Sequence, residues 1–434
     1  MTSIKPKASD QKMNNPKTEP PTEPPTKVGN IMTFPQKTRY APDTVASLQA
    51  PAQFFDVSDG LAVLRQEAFE RVKAQGLPTP KLERWKYTPL ARAVKNIEIV
   101  PELGGDHIKG PMQYVGQDHN EDDIHALLSA PAMGAEKYKD MALWDLNTAY
   151  MTAPMVISIP EGESVDEPFV IDYQSLKSSF SCKRVIFIVK KNASATLIET
   201  YKGAPSQWYN HAIQIVVEDG ARFDHICITD NDKDAVFTRN VHVEQGEKSF
   251  YNVFYFNTGA KLSRMQIQAD VNGSHARCDL SIVNMLNGGR HSDSTVEVCH
   301  NAPDGQSNQL VRTVLDDHAQ GIFQGKVYVD RVAQRTDGYQ LANSLVLAEG
   351  AEMDTKPELE IYADDVKCSH GSTIGQIDEE PLFYLRSRGL SEEQARTMLI
   401  EAFITEAVDT VENEDVRTQI LETVQNWLKS KAEA

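Results

Sequence analysis

Cysteine is scarce in this chain and never occurs in a paired spacing. Its five thiols, Cys182, Cys227, Cys278, Cys299 and Cys368, are odd in number and far apart. That pattern excludes a disulfide framework and reads as free thiols in a reducing compartment, the cytoplasm. With no Cys-x-x-Cys, a closed structural zinc site is not expected. Long apolar runs are missing too: no window approaches the roughly 18 uninterrupted apolar residues that a membrane helix requires. The first lysines are not followed by an apolar stretch, so no secretory signal is expected. Positive charge is in short supply, with 44 Lys and Arg against 62 Asp and Glu, a formal net charge of −18. Nucleic acid is bound by a basic surface that displaces counterions, so it is not an expected partner.

Nucleotide and catalytic motifs are also absent. Gly321 to Gly325-Lys326-Val327 approaches a phosphate loop, but its spacing is wrong and no hydroxyl follows to hold magnesium. The chain is therefore expected to bind no ATP itself. GxGxxG, HExxH, an EF-hand loop and GxSxG are missing as well. What is present is a globular composition, 40% hydrophobic and 24% charged, in 434 residues. That length allows for two or three domains.

Residues 1–40 read as a disordered tail, because the Pro/Glu repeat Thr18-Glu19-Pro20-Pro21-Thr22-Glu23-Pro24-Pro25-Thr26 has nothing to bury. Residues 41–153 read as a helical domain. Ser58 or Asp59 can cap a helix with Leu61, Leu64, Ala68 and Val72 at helical spacing, ending near Gly76-Leu77-Pro78. Glu83-Arg84-Trp85-Lys86-Tyr87-Thr88-Pro89-Leu90 follows, an aromatic and basic knot that reads as a turn anchored by a half-buried Trp85. Asp118 to Asp123 forms an acidic, loop-like patch.

Residues 154–370 change texture to short β-branched and aromatic runs between Gly, Asn and Asp turns, such as Val185-Ile186-Phe187-Ile188-Val189 and Ile213-Gln214-Ile215-Val216-Val217. A small-residue turn recurs at Asn192-Ala193, Gly220-Ala221, Gly259-Ala260 and Gly350-Ala351, at uneven intervals. Stacked rungs of a β-solenoid would produce this pattern, and a β-sandwich remains open. Residues 371–434 read as helical again. Asp378 can cap a short helix closed by Gly389, and Ser391-Glu392-Glu393-Gln394 is a capping box. The helix it opens would bury Ala395, Met398, Leu399, Ala402 and Phe403, and a last one Val416, Ile420, Val424 and Trp427. These helices can pack on their own domain or offer a groove to a partner.

Between the two regions lies Tyr362-Ala363-Asp364-Asp365-Val366-Lys367-Cys368-Ser369-His370-Gly371. In an extended segment Cys368 and His370, two apart, face the same way, and a thiol with an imidazole suits a soft metal such as iron or zinc. Two donors do not close a tetrahedral site, and a buried thiol beside a hydrogen-bonded imidazole is the plainer reading. Single histidines further back, His291 near Asp293, His300, and His318 after Asp316-Asp317, read as structural hydrogen-bonders.

The string Leu359 to Gly371, with Thr373-Ile374-Gly375-Gln376, Asp378-Glu379 and Phe383-Tyr384-Leu385-Arg386-Ser387-Arg388-Gly389, closely resembles the C-terminal signature of the SufB/SufD family, the scaffold subunits of SUF iron–sulfur cluster assembly. A fainter likeness runs through Gly321 to Lys326-Val327, Ala333-Gln334-Arg335-Thr336 and Asn343-Ser344-Leu345. With Trp85-Lys86-Tyr87-Thr88 it extends over most of residues 80–410. That knot is typical of the D-type branch. The run Tyr339-Gln340-Leu341-Ala342-Asn343 lacks the cysteine that the B-type carries there.

The resemblance implies a mainly β protein: a right-handed parallel β-helix flanked by N-terminal and C-terminal α-helical domains. It implies a non-catalytic subunit that pairs with SufB through the β-helices and binds a SufC ATPase through its C-terminal helices. His370 would help hold a nascent iron–sulfur cluster shared with the partner, and Cys368 would ligate or pack. The alternatives are a structural β-helix module without metal chemistry and a B-type scaffold that binds a cluster alone.

Overall fold

A computed structural model describes residues 40–41, 44–45, 61–97, 107–116, 127–128, 142–151, 153–173 and 179–432. The expected tail up to residue 39, the Ser58 and Asp59 caps and the patch from Asp118 to Asp123 lie outside them. Tyr40–Ala41 pairs antiparallel with Leu77–Pro78. Helices α1 (Leu61–Gln75), α2 (Leu90–Ala93) and α3 (Ala142–Tyr150) precede the β region.

That region is a parallel β-solenoid of about 7 turns. Its strands are β1 (Met155–Ile159), β2 (Phe169–Tyr173), β3 (Arg184–Val189), β4 (Ser194–Tyr201), β5 (Trp208–Val217), β6 (Arg222–Thr229), β7 (Val236–Gln245) and β8 (Phe250–Asn257), then β9 (Leu262–Val271), β10 (Arg277–Leu286), β11 (His291–His300), β12 (Gln306–Leu315), β13 (Gln320–Val329), β14 (Asp337–Val346), β15 (Glu352–Ile361) and β16 (Lys367–Gly375). Odd-numbered strands form one parallel sheet and even-numbered strands the other. Each residue stacks on its counterpart one coil away, as Arg222 does between Ser194 and Phe250.

Alternation along each strand divides two cores. Ile213, Ile215, Val241, Ile267, Val296 and Phe323 face Leu197, Phe223, Val253, Leu280 and Val311 inside the coil. The opposite sides are covered as well, which is why the strands read as nearly continuous apolar runs. Outside the even-numbered sheet, Ile226, Phe254, Val283 and Val314 pack on three C-terminal helices, α4 (Glu379–Ser387), α5 (Glu392–Val408) and α6 (Glu414–Ala432).

The turns explain the uneven spacing seen in the sequence. Where an odd strand passes to an even one, Gly162, Asn192, Gly220, Lys248, His275, Asp304 and Arg335 each take positive φ. From Asn192 onward each donates its backbone N–H to a carbonyl of the next coil: Asn192 to Asp219, Gly220 to Glu247, Lys248 to Ser274, His275 to Pro303, Asp304 to Gln334. A small buried residue follows in Ala193, Ala221, Ser249 and Ala276. Gly259-Ala260 and Gly350-Ala351 belong to the other edge of the coil, so the recurrence read from sequence mixed two columns. Four members carry Lys, His, Asp or Arg, which pay a modest strain at this conformation that glycine avoids.

The caps at Asp378, Ser391 and Gly389 form as expected: Asp378 Oδ1 accepts from Glu380 N at 3.0 Å, Ser391 and Gln394 make the reciprocal box, and Gly389 has φ +97°. The buried face of α5 agrees with expectation only in part: Ala395 is buried and Leu399 and Phe403 pack against the core as read, but the rest of the stripe differs. Ala395, Ile400, Ile404, Ala407 and Val408 point inward, while Met398 and Ala402 are exposed. Ile400, Ile404 and Val408, spaced by four, meet both the sheet and Ile420 and Val424 of α6, and that double contact selects the stripe.

The aromatic knot is more deeply engaged than a half-buried turn. Trp85 is 1% exposed, with the Arg264 guanidinium 4.0 Å above its ring. Arg264 also pairs with Asp293, which accepts from Thr88, and Arg84 pairs with Glu297. His291 Nε2 lies 3.0 Å from the Tyr87 carbonyl. The knot therefore straps β9, β11 and β13 from outside. Trp85→Ala is expected to lower stability by about 3–5 kcal/mol in urea unfolding, as large buried aromatics do, whereas Lys86→Ala, next door but exposed, leaves the midpoint unchanged.

Candidate functional site

The two ends of the solenoid are unlike. At the first, His107–Lys109 pairs antiparallel with β2 and closes the even-numbered sheet. At the last, among the described residues, β15 pairs only with β13 and β16 only with β14, so both present a free edge there. Tyr339, Tyr362 and Ile374 are exposed here at 43%, 53% and 52%.

Cys368 and His370 lie on this last strand, two residues apart, as the extended reading expected. Their partners across the ladder are Gly338 and Gln340. The strand below carries Ala342 in the core, so this alternation places both residues on the side that faces the coil's interior. Cys368 is half-buried against Val327, Val329 and Ala333. It can approach because Gly338 has no side chain: a Cβ there would stand 3.3 Å from Sγ. Burial pushes its thiol pKa up, and a backbone contact from Gly338 offsets this in part. The thiol alone thus stays protonated near neutrality, and a bound cation would have to displace the proton. His370 is exposed, and its ring makes no hydrogen bond to another described residue. The plainer reading therefore describes Cys368 but not His370. Among the described residues no group of three or more His, Cys, Asp or Glu converges on one point. The pair offers two donors, one soft and one borderline, opening outward.

Of the three other histidines singled out in the sequence, two are held by protein, whereas His318 is exposed and its ring makes no hydrogen bond to another described residue, so the structural reading does not describe it. His300 Nε2 lies 2.8 Å from Ser307 Oγ, and His291 is held by Tyr87. Burial lowers both pKa values, that of His300 to about 4. Deeper inside the coil is a charged network with no signal in the sequence except polar residues at interior positions of apolar strands. Glu199 pairs with Arg239 and lies 2.7 Å from His225 Nε2, whose Nδ1 meets Tyr251 at 3.0 Å. Burial alone would raise the Glu199 carboxyl; Arg239 and His225 outweigh it and hold it low. The Cys227 and Cys278 thiols are pushed up by burial and are inert.

A family model described as SUF system FeS cluster assembly, SufBD core domain, matches residues 170–403. The chain belongs to the SufBD family. An iron-sulfur cluster assembly SufBD family protein of Synechocystis sp. is 32% identical over 84% of this chain and 91% of its own length. The iron-sulfur cluster assembly protein SufD of Escherichia coli is 27% identical over 82% and 90%. The chloroplastic protein ABCI7 of Arabidopsis thaliana is 30% identical over 66% and 62%. This SufBD protein is thus placed in SUF iron–sulfur cluster assembly, and the β-solenoid with flanking helices agrees with the expected fold. No helix among its described residues is long and apolar enough to cross a membrane.

A pH prediction follows from His300. Unfolded, it takes up a proton near pH 6.5; folded, it does so only near 4. Its neutral form is tolerated above pH 6.5, and stability falls as pH drops from there toward 4. His300→Gln should make that decline shallower by at most roughly 3 kcal/mol across the window, read by urea unfolding at several pH values.

Proposed function

We propose that this chain is a D-type scaffold of the SUF machinery: non-catalytic itself, paired with a B-type scaffold through the open end of its solenoid, and served by an ATPase subunit docked on its C-terminal helices. The observation that carries the reading is that the site residues sit on an unpaired edge. An exposed parallel edge with apolar side chains invites a second strand. A partner docking there would bring its own donors to His370 and, with them, complete a site that this chain leaves at two. The similarity to SufD and the absence of cysteine from Tyr339 to Asn343 favour D over B.

In this reading the iron–sulfur cluster is cargo, held transiently between two chains. Neutral His370 supplies an imidazole nitrogen and the partner supplies thiolate sulfur. Cys368, with its raised pKa and packing against Gly338, supports the strand and can join the ligands once a cation displaces its proton. Nucleotide-driven movement of the ATPase pair would shift the scaffolds between two arrangements and open or close the edge.

Two outcomes test this. In the reconstituted complex, His370→Ala should leave assembly intact and lower cluster formation by roughly tenfold or more, measured by iron and sulfide content and visible absorbance. A full cluster yield would instead support a β-helix that joins partners without touching metal. For the ATPase, Phe383 and Tyr384 of α4 stand 74% and 55% exposed with Met398 of α5 at 46%. These are the large apolar groups that dominate interfaces. Phe383→Ala should weaken ATPase binding by about 2 kcal/mol in calorimetry, without changing the unfolding midpoint.

A further inference from the structure

Beneath His370 the interior of the coil is polar where its neighbours are apolar. Gln340 and Gln309 stack in register on β14 and β12, 0% and 1% exposed. Gln340 Nε2 donates to Gln309 Oε1 at 2.7 Å. Two atoms of this pair are buried without a partner, Gln309 Nε2 and Gln340 Oε1. Stacked amides in a parallel ladder have a direction: each donates one way and accepts from the other. Here donation runs toward β12, so the ladder ends in an acceptor, Gln340 Oε1, available to the coil on the other side. The residue in register on that coil is His370.

Room has been made for this amide. A Cβ at Gly325, across the coil on β13, would overlap the Gln340 side-chain amide and crowd the Phe323 ring. A buried, unpartnered carbonyl oxygen is unfavourable because its lost hydration is not replaced, so its retention in an apolar interior asks for a donor. The neighbouring strand lies about 4.8 Å away, and the His370 ring makes no hydrogen bond to another described residue.

We propose that Gln340 is the positioning residue for His370. Its Oε1 accepts from one ring N–H, which fixes the tautomer and turns the other, unprotonated nitrogen toward the open end. Metal-binding imidazoles are commonly oriented in this way through their second nitrogen. The consequence for cluster assembly rests on the reading of His370 as a ligand; the hydrogen bond itself does not.

The test uses the full-length chain with 15N-labelled histidine, at a pH where the imidazole is neutral, and His370→Ala to assign the signals. His370 of the wild type should show a single tautomer. Gln340→Met, similar in volume but without the acceptor, should return it to the mixture of an unconstrained imidazole. Gln340→Glu, which keeps an acceptor oxygen, should restore the single form. A wild-type mixture, or a tautomer unchanged in Gln340→Met, overturns the proposal. Should Gln340→Met not fold, Gly325→Ala displaces the same amide from the opposite strand and is expected to give the same mixture. In the reconstituted complex, Gln340→Met should assemble normally and lose cluster several-fold; full yield with a lost tautomer overturns the positioning role. If His370→Ala itself gives full yield, the ligand reading fails, and the spectra still decide the hydrogen bond.

Discussion

Everything in this molecule depends on a backbone hydrogen bond made once per coil at one corner. A residue in the left-handed conformation turns its N–H along the stack instead of into its own turn, and the next coil's carbonyl accepts it. The bond sets the register of each new coil, and the register aligns side chains into columns. Columns are then the unit of both packing and chemistry. Ile215, Val243, Ala269 and Val298 stack as apolar rows, while Gln309, Gln340 and His370 stack as a polar one.

A stack held by bonds from coil to coil has ends that cannot satisfy themselves. The first end is closed by an antiparallel strand from the preceding segment. Among the described residues the last is left with two free edges, exposed aromatic groups and the Cys368–His370 pair. In the proposed complex a layer from another chain would complete the sheet and the site together. The sides of the stack are handled differently. One sheet is covered by apolar residues of the C-terminal helices. The other is tied to the N-terminal knot by ion pairs and a cation–π contact, with Arg264, Asp293 and Glu297 taken out of water only because Trp85, Thr88 and Arg84 meet them.

How legible this was depended on the range of the interaction. The caps at Asp378, Ser391 and Gly389 are local, made within a few residues, and were read correctly. The strands were legible because apolar runs between turn residues are local too. The coil period was not, because Lys248, His275, Asp304 and Arg335 occupy a position where glycine or asparagine would have signalled it. The buried stripe of α5 was read only in part: Ala395, Leu399 and Phe403 pack on the core, but Met398 and Ala402 were expected where Ile400 and Ile404 are buried. Met398 and Ile400 are equally apolar, and only the contact with both the sheet and α6 chooses.

The sequence by itself determined the class of fold, the family and the Cys368-x-His370 pair, because each resides in short runs of residue type and spacing. Tertiary structure alone decided that His370 is exposed while Cys368 packs, that Trp85 is a strap across the solenoid, and that Gln340 lies beneath His370. Those facts join residues up to some two hundred positions apart, through stacking that no local window contains. Only the completed coil brings them side by side.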